Sequence, residues 1–300
     1  MEWTSSQLRS LVELTRRGTI TAVAETLGYT PGGVSQQLAA LERSVREPLL
    51  RRVGRRVELT DAGRALARHA ERMLSIEADA VAALERTTRT VAGSLNIGVF
   101  ATAAAEILPI ALTRAREKHP ELAVQSREMV VDEVYDAVAA GSVDLALGLD
   151  YPDVPIPRAP SLRLVRLVRE RFALAVPSGV LPDRQEISVA DTGDLGWILP
   201  DLDTHYGRAI RTVCRRAGVE PDVRHQVTDT AASLALVEAG VGTTPVTDLM
   251  LRLRPSQLRV LDLTERFERD IVIIVRSAAQ SRPTVAALAG VLHELTATGE

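Results

Sequence analysis

The sequence predicts an α+β multidomain chain: a small helical segment ending in a basic hairpin, then one long helix, then a C-terminal α/β region. Three observations carry this. Residues 1–60 contain three short helical periods separated by capping residues, residues 61–92 contain no proline and no glycine between Gly63 and Gly93, and from residue 93 strand-like apolar runs alternate with helical ones. A length of 300 residues also exceeds one ordinary core, so two or three domains are expected.

Thr4-Ser5-Ser6-Gln7 reads as a capping box that opens a first helix with Leu8, Leu11, Val12 and Thr15 on one face and Gly18 at its end. A second helix follows, with Thr21 placed to cap it and Val23, Ala24 and Leu27 as its apolar face; Gly28-Tyr29 turns the chain out. Thr30 caps a third helix whose first position is Pro31, a residue with no amide hydrogen to lose there. Val34, Leu38 and Leu41 form its core face, which turns Gly32, Gly33, Ser35, Gln36, Gln37 and Arg43 partly or wholly outward. Two glycines near a helix start cost on the order of 1 kcal/mol each relative to alanine. Either they sit cheaply in the first turn, or something approaches closely.

Leu49, Leu50 and Val53, then Gly54-Arg55, then Val57 and Leu59 read as a short hairpin with an arginine-rich tip. Three helices and a basic hairpin make a winged helix-turn-helix. The charge distribution agrees with a polyanionic partner. The chain carries a net −3, yet residues 1–60 hold nine arginines against six acids, a surplus of three, which leaves −6 on the remainder. Six of these arginines (Arg43, Arg46, Arg51, Arg52, Arg55 and Arg56) fall within one stretch whose single acid is Glu47. A helix of this diameter fills the major groove of double-stranded DNA while hairpin arginines neutralise flanking phosphates.

Thr60-Asp61 starts a helical stretch to about Val91, in which positions 66, 70, 73, 77, 80, 84, 87 and 91 form a weak heptad seam. Such a helix suits a dimerisation rod; the alternative is an amphipathic helix folded back on its own domain. The α/β region then opens with a strand at Ser94–Phe100, a helix at Ala103–His119, a strand at Leu122–Glu128, a helix at Asp132–Ala140 and a strand at Val143–Leu149. A proline-rich break at Pro152–Pro160 precedes strands at Leu162–Val168 and Phe172–Val176. Helices near Thr204–Ala217 and Thr230–Ala239 alternate with strands at Pro221–Val227 and Leu258–Leu263, and an apolar strand at Ile271–Val275 leads to a last helix at Pro283–Thr296.

Taken together, Gln7-Leu8, Gly18 to Leu27, Val34-Ser35-Gln36-Gln37-Leu38 with Leu41-Glu42, and Leu59 to Gly63 resemble the LysR-type transcriptional regulators. Weaker matches continue through Leu95–Gly98, Leu108-Pro109, Asp144–Leu147, Val237–Gly242 and Pro245. The resemblance implies a homodimer or homotetramer, partners in double-stranded DNA, RNA polymerase and a small-molecule effector, and C-terminal effector domains shaped like periplasmic binding proteins. It implies a DNA-binding domain at 1–60, a linker helix at 61–92 and an effector domain at 93–300, with lobe one at 93–166 and 270–300, lobe two at 167–268 and a cleft between them. It places DNA contacts at Thr30, Pro31, Gly32, Ser35 and Gln36, with Gln37 as an alternative reader of an adenine edge and Arg51, Arg52, Arg55 and Arg56 on phosphates. Two positions depart from the family pattern. Pro31-Gly32 stands where an amide side chain is usual, and Val45-Arg46 stands where Leu-Gly is usual, which puts a left-handed helix cap in doubt.

Ligands of open α/β folds sit beyond the carboxyl ends of strands, and the first such place here is Ala101-Thr102-Ala103. Free amides at the helix start there favour a carboxylate or another acceptor. Thr102 and Ala103 are the first effector candidates, with Thr204, Thr228 and Pro245 placed by the resemblance.

An enzyme and a solute-binding protein with an incidental N-terminal domain are the rival readings. His69, His119, His205, His225 and His293 are scattered and fit no metal-binding or hydrolase motif, so no cofactor or metal is expected. Cys214 stands alone and reads as a small hydrophobe. The longest apolar runs fall short of the roughly 20 residues of a membrane span, and Met1–Ser6 offers no basic or apolar leader, so a cytoplasmic protein is expected.

Overall fold

A computed structural model describes residues 2–53, 56–85, 91–254 and 258–297. The N-terminal domain comprises α1 (Ser5–Arg17), α2 (Ile20–Leu27), α3 (Pro31–Val45) and the antiparallel pair β1 (Leu50–Val53) and β2 (Arg56–Leu59). The expected capping box opens α1: the Thr4 hydroxyl accepts from the Gln7 amide at 3.3 Å and the Gln7 side chain accepts from the Thr4 amide at 2.9 Å. Helix α2 is capped by Thr19 rather than Thr21. The helix starts at Ile20, one residue before Thr21, and the Thr19 hydroxyl accepts from the Ala22 amide.

Leu11, Leu14, Val23, Val34, Leu38 and Leu41 form the core of this domain, and α4 (Asp61–Glu85) closes it with Ala67 and Ala70. Part of the seam read from the sequence, Leu66 and Ala70, is therefore spent within the domain. Glu77 accepts from Ser5 at 2.6 Å, again on α1, while Met73 and Ile76 are exposed. The intrachain packing expected as the alternative is present along this half of α4; the seam position at 87 lies outside the described residues.

Beyond the linker come β3 (Gly93–Val99), α5 (Ala101–Glu106), α6 (Leu108–Lys118), β4 (Leu122–Glu128), α7 (Val131–Ala140), β5 (Leu145–Asp150) and β6 (Leu162–Arg171). Then follow β7 (Ala173–Val176), β8 (Glu186–Ile187), β9 (Trp197–Leu199), α8 (His205–Arg216), β10 (Val223–Gln226), α9 (Thr230–Glu238), β11 (Thr244–Val246), α10 (Asp248–Arg252) and β12 (Arg259–Leu263). The chain ends with β13 (Glu268–Arg276) and α11 (Pro283–Ala297). The single helix expected over 103–119 is two, because Pro109 has no amide hydrogen to give the Ala105 carbonyl and so begins a new helix.

Two lobes result. Lobe one is the five-stranded sheet β4-β3-β5-β13-β6, parallel at β4-β3-β5 and antiparallel at β5-β13-β6. Lobe two holds the sheet β11-β7-β12-β8 and the parallel pair β10-β9. The outward crossing falls later, and the return earlier, than the boundaries at 166 and 270 expected from the sequence, because β6 stays paired with β13 out to Arg171↔Glu268. At the crossing the Phe172 amide donates to the Phe267 carbonyl at 2.9 Å and the two rings stack with centroids 4.1 Å apart. Among the described residues no helix is long and apolar enough to cross a membrane.

Two backbone positions test this account. Arg46 ends α3 with φ 59°, the left-handed cap that the sequence put in doubt, held by its amide on the Glu42 carbonyl. Arg46→Gly is expected to raise stability by up to about 1 kcal/mol in urea unfolding, since the left-handed conformation costs an L-residue ~1–2 kcal/mol. A Cβ on Gly63 would stand 2.1 Å from the Leu49 carbonyl oxygen. Gly63→Ala is expected to lower stability by roughly 1–3 kcal/mol in the same measurement.

Candidate nucleic-acid interface and interlobe cleft

The rotation of α3 is set by Val34, Leu38 and Leu41, all buried, which leaves Thr30, Pro31, Gly32, Ser35 and Gln36 exposed on one side. Thr30 caps the helix by accepting from the Gly33 amide at 3.1 Å. The two glycines then have different reasons. A Cβ on Gly33 would press on the Thr30 hydroxyl at 3.2 Å, whereas one on Gly32 would meet nothing within the chain. Packing among the described residues therefore does not require glycine at position 32. The Ser35 hydroxyl donates back to the Pro31 carbonyl at 2.9 Å yet remains exposed.

Gln37 is placed differently from Gln36. It is half-buried and its carbonyl accepts from the buried Ser10 hydroxyl at 2.5 Å, so it ties α3 to α1. Glu42 holds the hairpin to the helix: its Oε1 accepts from the Leu49 and Leu50 amides, each at 2.9 Å. Arg51 pairs across the hairpin with Glu58 at 3.0 Å, a bond between exposed groups that a phosphate can displace at little cost. Arg52 and Arg56 lie on the two strands, and Arg55 lies outside the described residues. Tyr29, exposed just before Thr30, is a further candidate that the sequence reading treated as a turn residue.

Between the lobes lies a cavity of about 410 Å³. Of the residues the sequence offered for an effector, Thr102, Thr204 and Thr228 line it. Ala103 does not; it is fully buried behind Thr102. Pro245 is also buried away from the cavity, where its carbonyl accepts from Tyr206 at 3.0 Å, and it is Tyr206 that faces the space. Tyr151 and Tyr206 line it and begin an aromatic column that continues beneath it through Phe172 and Phe267, stacked in succession at centroid distances of 6.1, 5.6 and 4.1 Å. Burial raises the Tyr151 and Tyr206 phenols far above their ordinary range, so both are neutral.

Two charged side chains of this cleft, Asp132 and Arg269, make bonds that the sequence did not signal. Asp132, at the start of α7 in lobe one, reaches across to α8 in lobe two: its Oδ2 accepts from the His205 amide at 3.2 Å, and its Oδ1 faces His205 Nδ1 at 2.7 Å. Arg269 is buried, donating from Nε to Glu170 at 2.7 Å and from Nη2 to Thr247 at 2.9 Å, with its guanidinium 5.5 Å from the Phe172 ring centroid. Periodicity cannot signal such residues, because their partners lie 73 and 99 positions away in the chain.

The N-terminal domain touches lobe one near this cleft. Arg17 of α1 stands 3.9 Å from Asp136 of α7, and the loop at Glu128–Val130 lines the cleft on one side and a cavity with Arg17 and Thr26 on the other. Glu13 is buried here beside Arg16 at 3.2 Å and Arg17 at 3.5 Å. Its burial, opposed by these arginines and reinforced by Asp136, lifts its carboxyl above the usual range.

Two family models match the chain: "LysR substrate binding domain" over residues 88–297 and "Bacterial regulatory helix-turn-helix protein, lysR family" over residues 5–64. Among curated relatives, the HTH-type transcriptional regulator TdfR of Cupriavidus pinatubonensis is 28% identical over 266 residues, 88% of each chain. Among solved structures, full-length CbnR complexed with target DNA aligns at 24% identity and TM-score 0.57 over 99% of this chain and 100% of that one. OxyR of Corynebacterium glutamicum with hydrogen peroxide bound aligns at 24% identity and TM-score 0.59 over 100% and 96%. These structural likenesses establish the fold.

A raised carboxyl pKa means that folding retains a proton that the unfolded chain releases, so the contribution of Glu13 is most favourable below the ordinary carboxylate range and is lost as pH climbs to the raised value. Urea unfolding from about pH 4 to about pH 7 is expected to show a smaller decline of stability with rising pH for Glu13→Gln than for the unaltered protein. Equal slopes would remove the buried carboxyl from the account.

Proposed function

The chain belongs to the LysR family of DNA-binding transcriptional regulators, and from this we propose that the bare side of α3 reads base edges in the major groove while a small molecule in the interlobe cleft modulates the regulator. The observation that carries the DNA half is the uncovered row Thr30, Pro31, Gly32, Ser35 and Gln36 beside a hairpin that adds four arginines. Among the described residues nothing stands within 4 Å of a Cβ built on Gly32. Gln36 has the carbonyl and amine that bond an adenine edge in pairs, and it is free of the bond that holds Gln37. Arg51, Arg52, Arg55 and Arg56 supply the phosphate contacts.

For the cleft, support comes from its position at the crossing strands and from the clasp between Asp132 and His205, which joins the lobes across it. A ligand that favours one degree of lobe closure shifts the population of conformers, and α7 and the loop at Glu128–Val130 lie against both the cleft and the N-terminal domain. We place the protein as a homodimer or homotetramer on double-stranded DNA, with the exposed Met73 and Ile76 side of α4 toward a second copy and RNA polymerase as the downstream partner.

Footprinting of the full-length protein on its own upstream DNA, across several salt concentrations, tests the reading; absence of any protected site would refute it. Gln36→Ala is expected to cost ~1–3 kcal/mol at one base pair and little elsewhere. Arg55→Ala together with Arg56→Ala is expected to weaken binding to all sequences and to flatten the dependence of log K on log salt by about two contacts' worth.

A response through cysteine oxidation is a separate matter on which the structure bears directly. Cys214 is buried in α8, and burial pushes its thiol up to about 11, so the reactive thiolate is scarce at neutral pH. Iodoacetamide at neutral pH is expected to leave the native protein unlabelled and to label it after unfolding, and peroxide is expected to leave DNA affinity unchanged.

A further inference from the structure

The chemistry of the cleft limits what can occupy it, given the reading above that the cleft is the effector site. Four features could attract an anion: the N-termini of α7, α8 and α9, which all line the cleft, and the one cationic side chain among its described lining residues, Arg269. Each already has a carboxylate from the chain itself. Asp132 accepts from the first amide of α8 at 3.2 Å. Asp229 caps α9, accepting from the Ala232 amide at 2.7 Å. Glu170 takes Arg269 Nε at 2.7 Å, with both side chains buried. The first turn of α7 carries its own acids, Asp132 and Glu133, and α5 has only six residues and a correspondingly small dipole.

An anionic ligand would therefore find no uncompensated positive charge, and would stand near Asp132, Asp229 and Glu128, all of which line the cavity. What remains for a ligand is neutral or already balanced. The Thr102 side chain is buried, lines the space and makes no hydrogen bond among the described residues, and Arg269 Nη1 is the guanidinium nitrogen without a partner there. Apart from Thr204, Thr228 and Thr230, the rest of the lining is apolar or aromatic, including Phe100, Met129, Tyr206 and Met250.

We propose that the cleft takes an uncharged, mainly apolar small molecule whose carbonyl or hydroxyl oxygen accepts from Thr102 Oγ1 or Arg269 Nη1, and that Asp132, Asp229 and Glu170 exclude carboxylates by filling the positions an anion would use. Recognition thus works by pre-emption: the protein's own acids compete for every cationic point.

The test uses the full-length protein and a fragment set built as matched carboxamide and carboxylate pairs on one- and two-ring scaffolds, such as benzamide with benzoate and cinnamamide with cinnamate. Calorimetry at neutral pH is expected to show the amides binding roughly tenfold tighter than their carboxylates or better. Thr102→Val is expected to weaken the amides, and Asp132→Asn, which removes the negative charge beside the α8 N-terminus, to narrow the gap by strengthening the carboxylates alone. Carboxylates binding as tightly as amides to the unaltered protein, with Thr102→Val weakening both, would overturn the ligand class and leave the cleft as the site. Binding of neither series, or binding insensitive to Thr102→Val, would overturn the cleft reading and the class with it. The comparison within the unaltered protein decides the class even if a variant does not fold.

Discussion

The rotation of one helix about its axis governs the N-terminal domain. Val34, Leu38 and Leu41 recur at four and three residues, so burying them against α1 and α2 fixes which side chains of α3 face away. Full burial of side chains of this size contributes roughly 1.5–3 kcal/mol each, more than enough to hold the helix against the small cost of its exposed glycines. A turn of α3 by one residue would put Ser35 in the core and expose an aliphatic row. The Glu42 carboxylate then carries the same rotation into the hairpin, because the first amides of β1 are bonded to it.

The C-terminal region is organised around its crossing strands in a comparable way. Phe172 and Phe267 occupy the points where the chain leaves and re-enters lobe one, and they are joined by a backbone bond and by their rings. Tyr206 and Tyr151 extend that stack to the cleft floor. In a chain with only 3% aromatic residues, placing four in one column makes this hinge a concentrated apolar anchor. Of the polar bonds that surround it, Asp132 with His205 joins the two lobes, and Glu170 with Arg269 joins partnered residues of β6 and β13 at the edge of the crossing.

Legibility in the sequence followed the range of the interactions concerned. Helix starts depend on neighbours within three residues, so Thr4 with Gln7 and Thr30 with Pro31 could be read directly. Thr19 and Thr21 both have capping chemistry, and only the packing of α2 decides between them. The left-handed Arg46 went against local preference because the Glu42 carbonyl and the hairpin bonds impose the turn. Short strands such as β9 and β11 escaped notice because three residues carry no period, although both are wholly buried. Most of the cleft was illegible for the same reason: Thr102, Thr204 and Thr228 sit at ends of elements, where loops can be guessed, but Asp132, Tyr206 and Arg269 acquire their roles only from partners far along the chain.

The loop at Glu128–Val130 has one face on the cleft and the other on Arg17 and Thr26 of the N-terminal domain. A wall shared in this way cannot be redesigned for one room alone. Substituting Met129 or Val130 to admit a bulkier compound would also reshape the seat of α1 and α2, so biosensor engineering by pocket grafting would have to transplant the loop together with the helical surface it abuts. Evolution faces the same linkage: new ligand tastes acquired through this segment arrive bundled with altered domain docking, whereas changes at Thr204 or Thr228, remote from that junction, leave it alone.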